Sequence, residues 1–142
     1  MKLLKLALPF RSSGNLLLRN FTNQRAGKAL ITVPKIEIAD GQILYLLMSI
    51  YIHGETLYAR TIVRGQPAKN HVRVYDRVRS EMESLGLCVK PLGGGMMDVN
   101  EAARTMKIYG KCKTFGRANH YKTMEIMKES ENYKNFNITM ER

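Results

Sequence analysis

Between Ile43 and Ile52 only Ser49 is polar. Ten apolar-rich residues suit a strand buried on both faces, and they fall well short of the roughly 20 that a membrane-spanning helix needs. A soluble chain is therefore expected. Pro34 to Ile38 reads as a short strand ahead of this run, with the turn-forming pair Asp40-Gly41 between them. His53-Gly54-Glu55 reads as a hairpin connection into Tyr58 to Val63, which is rich in β-branched residues.

From Asn70 the period changes. Val72, Tyr75, Val78, Met82 and Leu85 recur at steps of three and four, the spacing of one helix face. This predicts a helix from His71 to about Leu85, capped by Asn70 and stopped by Gly86. Leu87 to Lys90 resumes strand character until Pro91 and Gly93 to Gly95 interrupt it, the glycines reading as a tight turn. Thr105 to Tyr109 is a further strand and Gly110 to Arg117 a loop. A second helix is expected from Ala118 to about Glu129, with Tyr121 and Met124 on its lines, and Phe136 to Met140 alternates as a closing strand. The order βββαββαβ implies an α/β chain of the α+β type, a single mixed β-sheet of about six strands with two packed helices.

With 142 residues and 44% hydrophobic content there is material for one core. Residues 1–32 read as a basic N-terminal extension and 33–142 as the domain. The net charge of +11 is concentrated at the start, where seven basic residues and no acid precede Glu37, leaving 16 basic against 12 acidic beyond. An Arg-rich, acid-free segment with Ser and Leu fits a transit peptide; a disordered extension fits equally. The compartment expected is cytoplasmic, with mitochondrial the alternative. The domain's small charge excess and lack of interleaved aromatics argue against a nucleic-acid partner. Cys88 and Cys112 are too few for a disulfide framework, and no metal-ligand spacing occurs.

His71 is the best candidate for chemistry. In the first turn of a helix it meets unpaired N–H groups and the positive dipole end, which favour an anion and disfavour imidazolium. A neutral imidazole there serves as a general base or a nucleophile towards phosphorus. The bland alternative is a surface histidine that happens to open a helix. His53 and His120 read as ordinary surface residues, and Met82, Met124 and Met127 as core packing.

Four segments then occur together in order: Thr61-Ile-Val-Arg-Gly65, His71-Val-Arg-Val-Tyr-Asp-Arg-Val78, Leu92-Gly-Gly-Gly95 and Lys107-Ile-Tyr-Gly-Lys-Cys-Lys-Thr-Phe-Gly116. In this the chain resembles the phosphohistidine phosphatase (Janus/Ocnus) family, particularly its insect janus and ocnus branch, over roughly Val33 to Met140. The resemblance implies a metal-independent enzyme that removes phosphate from phosphohistidine-bearing proteins; a monomer with no cofactor and no membrane or nucleic-acid partner is expected. It implies His71 as the catalytic residue, Arg64 as the substrate-holding arginine, and Cys112, Lys113 and Thr114 as the phosphate-binding loop. Three positions depart from the family pattern: a cation is replaced by Leu44, an arginine by Met96, and a small hydroxyl residue by Cys112. The janus branch also suggests an alternative, a non-catalytic phospho-ligand or protein-interaction module acting in sexual differentiation.

Overall fold

The computed structural model describes residues 24–141. Six strands form one mixed sheet: β1 (Ile36–Ile38), β2 (Gly41–Ile52), β3 (Glu55–Gln66), β4 (Cys88–Asn100), β5 (Thr105–Tyr109) and β6 (Asn137–Met140). Their spatial order is β1-β3-β2-β4-β5-β6, with the two outer pairs, β1 with β3 and β5 with β6, parallel and the rest antiparallel. Three helices pack on it: α1 over residues 24–32, α2 (His71–Ser84) and α3 (His120–Glu129). The expected single mixed sheet and element order are found.

Alternation along the central strands divides the core in two. Ile43, Tyr45 and Leu47 of β2 face α3 together with Met97, Val99, Met106 and Ile108. Leu46, Met48 and Ile50 face the other way, against Val74, Val78 and Met82 of α2. This is why β2 reads as an unbroken apolar run: both of its faces are covered. The buried stripe of α2 is Val74, Val78 and Met82; Val78 and Met82 are on the expected face, Val74 is buried in place of Val72, and Val72 and Leu85 are partly exposed. Asn70 does cap the helix, its side chain accepting the Arg73 N–H at 3.1 Å.

Two sequence expectations are corrected. The triple glycine is no turn: β4 runs unbroken from Cys88 to Asn100. Its register against β2 shifts between Leu47 and Met48, where Gly93 and Pro91 are the partners, so Leu92 is the extra residue of a bulge. The bulge accommodates the proline, and the glycines admit neighbours that a side chain would repel. The second correction is a third helix in the segment read as a basic extension. Ala26, Leu30 and Val33 are buried in the α2-side core. Arg60 of β3 donates to the carbonyls of Leu30, Ile31 and Val33, tying down the C-terminal end of α1. The transit-like segment up to residue 23 lies outside the described residues. Among the described residues no helix is long and apolar enough to cross a membrane.

Candidate active site

The cap at Asn70 makes His71 the first residue of α2, half-buried against the bulged stretch of β4. Its Nε2 lies 2.8 Å from the Gly95 carbonyl oxygen. A carbonyl only accepts, so in the neutral ring Nε2 carries the proton and Nδ1 keeps its lone pair, an assignment made from the hydrogen bond. Gly94 forms the floor beneath the ring. A Cβ there would stand 3.0 Å from His71 Cδ2, 2.9 Å from Cys112 Cβ and 2.9 Å from Leu46 Cδ2. Both His71 and Cys112 therefore close onto the space that Gly94 leaves empty.

Beyond Tyr109, the partner of Met96, β5 stops and the chain turns away. It returns at 116–118 to occupy the vacated place beside β4, with Gly94 N–H on the Gly116 carbonyl at 2.9 Å and Ala118 N–H on the Gly94 carbonyl at 3.0 Å. The intervening turn is closed twice, Gly116 N–H to Cys112 O at 2.9 Å and Cys112 N–H to Gly116 O at 3.3 Å. Cys112 is buried and its Sγ accepts the Phe115 N–H at 3.3 Å. The N–H groups of Lys113 and Thr114, both exposed residues, bond to no described residue and remain available as donors. Tyr75, one turn after His71, packs its ring against Phe115 with centroids 5.2 Å apart, which holds this loop beside the start of α2. The His71 ring and the loop that carries these amides thus adjoin across Gly94, with Lys111 and Lys113 in the same loop.

Arg64 is placed differently. It is buried, and its guanidinium donates to the carbonyls of Val63 at 2.9 Å and Pro34 at 2.7 Å, with Glu37 at 3.7 Å. These partners are on the β1 side of the sheet, so the group is turned away from β4. Burial lowers its pKa, and Glu37 acts in the opposite sense. Leu44 and Met96 are cross-strand partners, one row beyond Leu46 and Gly94 on the same face as His71. Both are half-buried, and Met96 lies over Gly110 at the head of the loop. The floor adjoining His71 is therefore apolar.

His120, read as a surface residue, is buried. Its Nε2 donates to the Gly110 carbonyl at 2.9 Å and its Nδ1 accepts from the Tyr45 hydroxyl at 2.5 Å. Burial lowers the His120 pKa below its ordinary 6.5, with the Arg117 cation adding to the effect against the Gly110 hydrogen bond. Burial likewise pushes the Tyr45 hydroxyl up to about 12. A sequence signal for this residue existed: Asn119-His120 repeats the capped Asn70-His71 arrangement, and each asparagine caps its helix by accepting an N–H three residues on.

A family profile described as Janus/Ocnus matches residues 30–137. The chain belongs to the Janus/Ocnus family. The chain is 52% identical to the sex-regulated protein janus-B of Drosophila pseudoobscura pseudoobscura over 126 residues, 89% of each chain. It is 43% identical to janus-B of Drosophila erecta over 112 residues and 45% identical to janus-B of Drosophila yakuba over 113, in both cases 79% of this chain and 80% of the relative. The family match spans α2, the bulged β4 and the loop, so every residue of the candidate site falls within it.

Proposed function

We propose that this Janus/Ocnus chain is a phosphohistidine phosphatase-like protein, acting as a cytoplasmic monomer on phosphohistidine-bearing proteins. The observation carrying this reading is the bond from His71 Nε2 to Gly95 O, which reserves Nδ1 for chemistry beside a loop with free N–H groups. In the proposed reaction Nδ1 takes a proton from water as the water oxygen bonds to phosphorus. The P–N bond of the phosphoramidate breaks, and the leaving imidazole nitrogen collects a proton from His71 or solvent. The amides of Lys113 and Thr114 stabilise charge growing on the phosphoryl oxygens. Arg64 acts in this reading by holding the β1 side of the domain together rather than by touching phosphate.

Release of inorganic phosphate from a phosphohistidine protein tests the proposal. Turnover by the wild type and its loss in His71→Ala support it; equal rates from both remove His71 from the chemistry. Trapping phosphate on His71 would identify a nucleophile in place of a base.

The apolar pair Leu44 and Met96 favours a second reading, a non-catalytic module that binds a phospho-ligand. A wild type that binds phosphate without turnover and becomes active as Leu44→Lys with Met96→Arg would select it.

A further inference from the structure

His71 and His120 stand back to back across β4, and Gly95 is the residue between them. On one side the Gly95 carbonyl accepts from His71 Nε2 at 2.8 Å. On the other, a Cβ on Gly95 would stand 2.8 Å from His120 Cε1, 2.8 Å from Tyr45 Cε1 and 2.7 Å from the Tyr109 carbonyl. Gly95 therefore has no room to move towards α3. His120 itself is fixed at both ring nitrogens, by the Tyr45 hydroxyl and by the Gly110 carbonyl. Gly110 opens the loop and His120 follows its end, so this one ring joins the two ends of the segment that carries Cys112, Lys113 and Thr114.

We propose that His120 is a positioning residue for His71: it holds Gly95 so that its carbonyl fixes the His71 tautomer, and it closes the 110–118 loop through Gly110. The chemistry explains why a histidine serves here. Only the neutral imidazole offers one donor and one acceptor on opposite edges of a flat ring. Phenylalanine is larger than imidazole and makes neither bond, so in this tight space its ring must displace Gly95 or the loop. Protonation would make both nitrogens donors and force the Tyr45 hydroxyl to turn round. The groups facing the ring are Tyr45 from β2, Thr123 of α3 through its bond to the Tyr45 hydroxyl, the Gly110 carbonyl, and the Arg117 cation. Its effect on turnover rests on the phosphatase reading, whereas its effect on the His71 tautomer does not.

The chain contains three histidines, so long-range 1H–15N spectra resolve each ring in the intact protein. In wild type His71 and His120 should both show the Nε2–H tautomer. In His120→Phe, His71 should become a mixture of tautomers and the Lys113 and Thr114 amides should shift. His120→Gln, which retains a donor and an acceptor, should restore part of the wild-type pattern. Where turnover is measurable, kcat should fall about tenfold or more in His120→Phe with a smaller change in KM. An unchanged His71 tautomer in folded His120→Phe overturns the proposal, whatever the activity. Should His120→Phe fail to fold, Tyr45→Phe decides: losing the hydroxyl removes one of the two bonds that hold the His120 ring against Gly95, so His71 should become a mixture of tautomers, and an unchanged His71 tautomer overturns the proposal.

Discussion

Replacing Gly94 with alanine places a methyl group where three side chains already meet. The new Cβ would lie 2.9 Å from Cys112 Cβ, 2.9 Å from Leu46 Cδ2 and 3.0 Å from His71 Cδ2. Carbon pairs rest at about 3.5–4.0 Å, so each neighbour must retreat by roughly 0.5–1 Å. Leu46 is fully buried and Cys112 is held by the doubly closed turn, which leaves the half-buried His71 ring as the group that gives most. Overpacking of this size costs about 1–3 kcal/mol, and an imidazole displaced by about 1 Å loses roughly a hundredfold in rate. Urea unfolding measures the first effect, and phosphate release from a phosphohistidine protein the second. Gly27→Ala is the control: it lies in α1, nothing stands within 4 Å of its Cβ position, and the change should leave activity intact while stabilising by about 0.5–1 kcal/mol. Wild-type activity and unchanged His71 signals in Gly94→Ala would refute the placement of His71 over this glycine.

Arg60→Ala should loosen α1 by about 1–2 kcal/mol, since one guanidinium serves the carbonyls of Leu30, Ile31 and Val33. Hydrogen exchange should then quicken over residues 24–32 while the central strands stay protected; even protection throughout would contradict it. The buried, neutral His120 links stability to pH with a definite sign. Above about pH 6.5 the ring is neutral in both states, so its contribution is complete; as pH falls below that value the unfolded chain takes up the proton first, and stability declines until the lowered folded midpoint is passed. Unfolding curves of wild type and His120→Phe should therefore converge on acidification, and parallel curves would deny the burial effect. Restoring cations with Leu44→Lys and Met96→Arg should tighten inorganic phosphate binding by roughly tenfold, read by calorimetry at low salt, because both positions adjoin His71 on one face of the sheet.

What could be read from the sequence followed from local patterns with one physical cause. The Ile43 to Ile52 run is apolar because both faces of β2 are covered, and Asn70, His71 and Gly86 announce the ends of α2 by their own backbone chemistry. Strand β4 was concealed because Pro91 and three glycines are poor strand formers. The bulge at Leu92 and the crowding around Gly94 and Gly95 are tertiary facts that override propensity. Helix α1 does carry an apolar spacing at Ala26, Ala29, Leu30 and Val33, but it is short, and the basic residues around it suggested an extension. His71 was legible because it opens a helix. The parallel position of His120 was equally visible; its burial depends on Tyr45 and Gly95, which the fold brings from 75 and 25 residues away in sequence. The direction of Arg64 depends on β1 lying beside β3, a pairing that no local pattern reveals.

In the proposed function His71 and the Cys112 to Gly116 turn form one oxyanion site. Titrating inorganic phosphate into 15N-labelled protein tests it without requiring any turnover. The Lys113 and Thr114 amides and the His71 ring nitrogens should shift together along one saturable curve, and the exposed His53 should not. Saturable shifts elsewhere with these groups silent, or no saturation at any of them, would contradict it.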